Sequence, residues 1–468
     1  MKRIILLMAV MGSMVFGADK EVSILYFNDS HVIYPVKDKY GERGGVARIK
    51  TIVDSSKKEN KNTVVIQGGD LGGGVLFGAI YHGFPMIEAF NKMPIDISNF
   101  GQHEFDFGVK EARNLVDKSK FQWISSNLKE KNGNSFNGVK EYIVKDYDGI
   151  KVGFLGTTDG MDTTIQTDEI YQENLLKSIE KNLKDLKNEK VDFVVLLTQS
   201  EPEKNIEIME KFPEIGAILA EEKSEKYNLV TYVGEKPIVS PQGNMGSIAK
   251  LNIIKNENGI KQKLEFIPVD NSVKSDKEME KLENFYRNKL EEDLGHKIGT
   301  LKIKLDSGFG EDHKARYEET NVGNLIADSY RNYFGTEIGF MNGGGIRASK
   351  YKGETLVEAL EQGVSAVDKK SGRFLQVSGI SYEYDGKLPV GSRVKNVRVN
   401  GKPIVLDQVY TVALPLYIKN GGDGFEMLKN DEGRVSSKEE TIDSDIFIEY
   451  IKTIKVINPQ LEGRIKKN

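Results

Sequence analysis

The chain has 468 residues, too long for one ordinary core, so two or three domains are expected. Its 66 basic and 70 acidic residues leave a net charge of -4, which provides no basic footprint for DNA or RNA, and a nucleic acid polymer is not an expected partner. There is no cysteine, so neither a disulfide framework nor a lipid-anchored cysteine is available.

Taken in chain order, the first element is an export signal. Lys2 and Arg3 precede an apolar run from Ile4 to Phe16, and small Gly17 and Ala18 precede polar Asp19 and Lys20, which predicts a signal peptide over 1–17. The run is shorter than the roughly 20 residues needed to span a bilayer, and no later segment supplies a transmembrane helix. The mature protein is therefore expected to be exported, periplasmic or secreted.

Strands are expected at Val22 to Phe27, Thr63 to Gln67, Ile97 to Asn99, Val152 to Leu155, Phe193 to Leu197, Ala217 to Leu219 and Ile248 to Ile254. Helical periodicity falls between them, notably over Met86 to Lys92, Val109 to Lys118, Asn174 to Asn188 and Glu203 to Lys211. This alternation predicts a layered α/β domain over 18–270. From Ser275 to Asp293 the sequence becomes highly charged, with Met279, Leu282, Phe285, Tyr286 and Leu290 at helical spacing, which predicts a linking helix within 271–296. A second α/β domain is expected over 297–468.

Three polar motifs directly follow expected strands: Asn28-Asp29-Ser30-His31, Gly68-Gly69-Asp70 and Gly101-Gln102-His103-Glu104-Phe105-Asp106. The carboxyl ends of neighbouring strands in an open α/β sheet are where ligand crevices form, so the three motifs are expected to share one site. The second half carries four more motifs in order, which begin at Glu319, Asn342, Gly372 and Tyr417: ETNVGNLIAD, NGGGIR, GRFLQVSG and YIKNGGDGF.

Together these segments resemble the bacterial periplasmic 5'-nucleotidase family, a calcineurin-like metallophosphoesterase sandwich followed by a C-terminal substrate-binding α/β domain. The resemblance implies hydrolysis of nucleoside 5'-phosphates or related small phosphate esters with a divalent metal, Mn or Mg first and Zn as a third option, in one or two ions. In two-metal hydrolases the ions lie about 3.5–4 Å apart, polarise the phosphoryl oxygens and generate the attacking hydroxide. By resemblance Asp29 and His31 hold the first metal, Asp70 is shared with the second, and His103 with Asp106 acts on the phosphoryl group or leaving oxygen. In the second domain Phe374 and Tyr417 match the aromatic pair that stacks on the base, Asp423 the acid at the nucleoside, and Arg347 a cation near the ribose or phosphate. Stacking with a few edge hydrogen bonds suits a nucleobase, and a forked guanidinium suits oxyanions.

The chain departs from that pattern at several ligands. Gln102 stands where the family has Asn, and Thr198-Gln199 stands where it has Thr-His. After Ile215 to Leu219 the chain reads Ala220-Glu221-Glu222-Lys223-Ser224-Glu225 in place of Gly-His-x-His, which puts Glu222 and Ser224 at the histidine positions. His31, His82 and His103 are the only histidines before residue 271, so no shifted alignment restores the imidazoles. Two readings stay open. Gln102, Gln199 and Glu222 form an oxygen-rich site suited to a harder cation such as Mg or Mn, or the second metal is lost. The loss leads to the alternative function, a catalytically impaired protein that binds a nucleotide-like ligand or a partner.

About two dozen residues that the family carries after Gly353 are missing, and Gly353 runs directly into Glu354. Gly72-Gly73-Gly74 lacks a Walker lysine and reads as a turn. Glu221 to Lys226 reads equally as a solvated loop, His82 as a surface or structural residue, and His296 and His313 belong to no motif. Phe374 and Tyr417 are expected to form an exposed platform. The sequence does not specify an oligomeric state.

Overall fold

The computed structural model describes residues 20–38, 41–161, 168–221, 223–306, 313–342, 345–435 and 441–468, so the expected signal peptide lies outside the described residues. The chain divides into two compact units, Met1–Glu291 and Glu292–Asn468. Helix Lys277–Leu294 runs across this division in sequence.

The first unit is built on two six-stranded sheets. The first contains β1 (Lys20–Phe27), β2 (Thr63–Gln67), β3 (Ile97–Asn99) and β4 (Gln122–Ile124) in parallel, with Ser247–Asn256 and Gly259–Pro268 added antiparallel beyond β1. The second has β5 (Ile150–Gly156), β6 (Phe193–Thr198) and β7 (Ile215–Ala220) parallel at its centre. Central strands such as Thr63–Gln67 are apolar and β-branched along most of their length, as expected of strands covered on both faces.

Three layers of apolar side chains explain that coverage. Val22, Ile24 and Tyr26 from β1 pack with Val152, Phe154, Val195 and Leu219 of the other sheet, which forms the core between the sheets. The outer face of the first sheet packs on helices Val46–Glu59, Phe84–Asn91 and Val109–Lys118, through residues such as Leu25, Phe27, Ile49, Phe90 and Leu115. The outer face of the second packs on Leu175–Asn188 and Pro202–Lys211, through Leu155, Leu196, Leu183 and Ile208. The result is a helix–sheet–sheet–helix sandwich. Its parallel strands place their carboxyl ends along one edge: Phe27 is level with Gln67, Ile66 with Ile97, and Thr198 with Ala220.

The second unit has a five-stranded mixed sheet, with Val409–Pro415 between Ile338–Met341 and Gly345–Lys352. Its first helix, Asn321–Phe334, starts where the Thr320 hydroxyl accepts a hydrogen bond from the Gly323 N–H at 3.0 Å, an N-cap that satisfies an otherwise free donor. Strand Gly345–Lys352 passes directly into helix Gly353–Gly363. Among the described residues no helix is long and apolar enough to cross a membrane.

Candidate active site

The site of the first unit lies where the carboxyl edges of the two sheets meet. Hydrogen bonds join those edges: the Tyr26 hydroxyl and the Asn28 amide donate to the Ala220 carbonyl at 3.0 and 2.9 Å, the Gln199 amide donates to the Gly68 carbonyl at 2.8 Å, and the Asn99 amide donates to the Thr157 carbonyl at 2.9 Å. Each motif therefore leaves a strand end that is fixed against the opposite sheet. Asp29 and Asp70 turn out of β1 and β2 with left-handed φ of 47° and 57°, a conformation that Asp tolerates better than most residues.

Asp29, Asp70 and Glu221 converge, with one carboxylate oxygen from each within 4.8 Å of the others. Oδ2 of Asp29, Oδ2 of Asp70 and Oε1 of Gln199 are buried and receive no hydrogen bond. Buried acceptors are normally satisfied, so unpaired oxygens on the residues of one acidic cluster fit a cation-binding site. An all-oxygen donor set of carboxylates and an amide suits Mg or Mn. Burial raises the pKa of all three carboxyl groups, and the neighbouring charge of Glu221 on Asp29, of Asp29 on Asp70 and of Asp70 on Glu221 adds to it.

His31 Nδ1 lies 2.7 Å from the Gly72 carbonyl, which orients the ring so that Nε2 faces Asp29 Oδ1 at 3.4 Å. Burial pulls the His31 pKa down, but the hydrogen bond and charge of Asp29 outweigh it and the net shift is upward. The His31 and His103 rings meet edge to face at 5.2 Å. His103 Nδ1 pairs with Asp106 Oδ2 at 2.7 Å, and its backbone N–H donates to Asp70 Oδ1 at 2.9 Å. Burial lowers the His103 pKa, yet the Asp106 hydrogen bond and the charges of Asp70 and Asp106 push it up to about 10.

Two features of this frame escaped the sequence reading. Glu104 is 1% exposed and accepts backbone N–H groups from Asp70, Leu71 and Gly101 at 3.2, 2.7 and 2.7 Å, which ties the second motif to the third. Burial, then the charge of Asp70, raises its pKa to about 7. The Gly72 to Gly74 turn is also part of the frame. A Cβ on Gly73 would overlap the Asp106 carboxylate and lie 3.0 Å from His103 Nδ1, and one on Gly74 would lie 2.6 Å from His31 Cε1.

The structure thus brings together Asp29, His31, Asp70, His103 and Asp106, with Gln199 pinned beside them. Gln102 is only partly buried, and its amide oxygen lies against Gly160, 2.6 Å from where a Cβ there would stand. Glu222 lies outside the described residues. The acid that joins the cluster is its neighbour Glu221, the first residue beyond β7. His82, given no role from sequence, stacks on Phe107 with ring centroids 3.8 Å apart.

In the second unit the exposed aromatic platform is corrected. Phe374 is 4% exposed and sits edge-on to Tyr384 at 6.0 Å, because it belongs to that unit's apolar core. One side of it borders a cavity of 280 Å³ with Arg316, Met341, Asn342 and Gln376. Tyr417 is half-buried, and its hydroxyl accepts the Asp423 N–H at 3.2 Å, which joins these two residues across the Gly-rich turn. Arg347 is half-buried on the strand paired with Val409–Pro415, opposite Leu414.

Comparison with known proteins agrees with this architecture. The calcineurin-like phosphoesterase family model matches residues 22–230, and that of the 5'-nucleotidase C-terminal domain matches 297–355 and 349–430. A trifunctional nucleotide phosphoesterase protein of Bacillus subtilis is 25% identical over 96% of this chain, which spans 35% of that longer protein. The 5'-nucleotidase of Homo sapiens is 26% identical, with 95% of this chain and 91% of the human protein covered. The crystal structure of a 5'-nucleotidase precursor from Thermus thermophilus superposes with a TM-score of 0.75 at 24% identity, over 96% of this chain and 99% of that one. Two matched domain models in the family's order, on a fold of the same architecture, show that the chain belongs to the 5'-nucleotidase family.

Proposed function

We propose that this protein is a metal-dependent phosphoester hydrolase of the 5'-nucleotidase type, exported from the cytoplasm, that releases phosphate from nucleoside 5'-phosphates or related small phosphate esters. The observation that carries the reading is the convergence of Asp29, Asp70 and Glu221, with unsatisfied buried oxygens on two of them, beside the His103–Asp106 pair.

Asp29, His31, Asp70 and Glu221 would hold the cation, with the Gln199 amide oxygen as a further donor. When bound, a divalent cation there supplies polarisation of a phosphoryl oxygen and a water of lowered pKa. The protein's own groups do the rest. Asp106 fixes His103 through Nδ1, which leaves Nε2 free to donate a proton to the ester oxygen as the P–O bond breaks. Water adds to phosphorus as the alcohol leaves with that proton, one proton of the attacking water returns to His103 through solvent, and hydrogen phosphate is released. In the second unit, Phe374, Tyr417, Asp423 and Arg347 are the proposed contacts to the nucleoside.

The test is hydrolysis of a nucleotide panel and an aryl phosphate by the purified protein, with Mn, Mg or Zn added and bound metal quantified. Metal-dependent turnover that falls at least a hundredfold in His103→Ala supports the reading. No turnover with any cation, together with substoichiometric metal, would instead leave a binding protein on a hydrolase scaffold.

A further inference from the structure

The linking helix Lys277–Leu294 reaches the site through a chain of aromatic rings. Met279 and Leu282 bury one face of this helix in the core of the first unit. One turn further on, and still within that unit, Tyr286 meets Phe77 edge to face at 6.2 Å and Tyr81 at 5.6 Å. Phe77 in turn meets Tyr34 at 5.5 Å. The Tyr286 hydroxyl donates to Glu88 at 2.8 Å, and the neighbouring Arg287 guanidinium lies over the Tyr34 ring at 4.6 Å, so polar contacts hold the helix at the same point. Edge-to-face pairs contribute beyond the area they bury and favour particular ring positions.

Phe77 and Tyr81 belong to the short helix Leu76–Tyr81, which packs directly on the glycine turn. A Cβ on Gly78 would overlap the Gly73 carbonyl oxygen, and that carbonyl accepts the Val75 N–H at 2.6 Å. In the same turn the Gly72 carbonyl stands 2.7 Å from His31 Nδ1. Tyr34 lies three residues beyond His31, so the rings brace the histidine through its own segment as well. The partner of a ligating histidine's second ring nitrogen sets the ring's orientation, and losing such a partner typically lowers metal affinity about 10- to 100-fold.

We propose that Tyr286 is a positioning residue for His31, acting through Phe77, Tyr81 and the Gly72 carbonyl, and that seating of the linking helix and binding of the cation are therefore coupled. This rests on the metal-dependent reading above and goes beyond it by making the linking helix part of the frame of the metal site. Coupling of this kind is reciprocal: if the seated helix favours the ion, the ion favours the seated helix by the same factor.

The experiment uses the metal-stripped full chain and Mn²⁺ alone, with Kd read by calorimetry and by the free-Mn²⁺ resonance signal, and with amide exchange followed over Lys277–Leu294. Tyr286→Leu should bind Mn²⁺ at least fivefold more weakly than wild type, and Tyr286→Phe, which keeps the ring, should stay within twofold. In wild type, Mn²⁺ should slow exchange in the linking helix at least threefold more than in the strand Gly259–Pro268, a difference that disappears in Tyr286→Leu. A folded Tyr286→Leu protein with wild-type Mn²⁺ affinity would reduce the tyrosine to a packing role and overturn the inference, as would equal slowing in helix and strand; both results leave the metal-dependent hydrolase intact. No bound Mn²⁺ in wild type would overturn both. The wild-type exchange measurement needs no variant, and Tyr286→Met removes the same ring should the leucine variant not fold.

Discussion

Gly73→Ala is the substitution that most directly tests whether the glycine turn sets the His103–Asp106 pair. Gly73 has φ +48°, where a non-glycine residue costs about 1–2 kcal/mol. A methyl group there would also overlap Asp106 Oδ2, lie 2.8 Å from its Cγ and 3.0 Å from His103 Nδ1. Carbon and oxygen need well over 3 Å, so the carboxylate must move by an ångström or more, enough to break its 2.7 Å bond to His103. A charge-assisted hydrogen bond contributes about 1.5–3 kcal/mol, so kcat/KM should fall about 10- to 200-fold while stability falls by only about 1–2 kcal/mol. The assay is kcat/KM with an aryl phosphate, with urea unfolding in parallel, on Gly73→Ala, Asp106→Asn and the double variant. Because all three act on one hydrogen bond, the double variant should lose little more than the worse single variant. Full activity in Gly73→Ala, or losses that simply multiply, would refute the argument.

Three other outcomes follow from the packing. Glu104→Ala leaves three buried N–H groups unpaired at about 1–3 kcal/mol each, offset by about 3 kcal/mol because the carboxyl pKa is raised from 4.5 to about 7; a net loss of about 3 kcal/mol should appear in urea unfolding, together with weaker Mn²⁺ binding. Glu283, whose carboxylate accepts the Ala47 N–H at 2.8 Å, has its pKa raised by burial from 4.5 to about 7. The folded state therefore holds a proton that the unfolded chain has released, so this stabilisation is full below about pH 4.5 and is lost as pH rises through about 7. Glu283→Gln should accordingly be about 1–3 kcal/mol more stable than wild type at pH 8 and nearly equal to it at pH 5, compared by urea unfolding. In the second unit Arg464 is bidentate to Asp328 at 2.8 and 3.0 Å and donates to the Val377 carbonyl at 2.9 Å, so Arg464→Met should cost that unit about 3–5 kcal/mol in its thermal transition.

The sequence was informative where chemistry follows strand ends. Asp29, Asp70 and His103 each come within four residues of a short apolar strand, and the parallel register Phe27 to Gln67 and Ile66 to Ile97 sets those ends side by side. Glu221 was less legible because motif spacing points to Glu222, whereas the bridge that acts is Thr198 level with Ala220, which makes Gln199 and Glu221 the paired first residues beyond their strands. Glu104 carries no signal in a linear reading, since a buried acid within a polar motif looks like any solvated one until its three backbone donors are seen. Phe374 shows the converse. Its motif marks an aromatic position, but burial depends on Tyr384 and the rest of the core, which lie elsewhere in the chain.

Gln199 shows how an imidazole position can be given up without losing the frame. Its Nε2 donates to the Gly68 carbonyl at 2.8 Å, one of the bonds between the sheets, while Oε1 stays buried and unpaired. A neutral histidine also has one donor and one acceptor on opposite sides of its ring, so Gln199→His can keep the bond to Gly68 and exchange an oxygen donor for a nitrogen. Imidazole favours Zn²⁺ over Mn²⁺ and Mg²⁺ more strongly than an amide oxygen does. The variant should therefore shift the Zn²⁺-to-Mn²⁺ affinity ratio toward zinc by at least tenfold in competition titrations, with its unfolding midpoint little changed. An unchanged ratio in a folded variant would mean that residue 199 serves only as a pin between the sheets and that the ion draws its ligands from the acidic cluster alone.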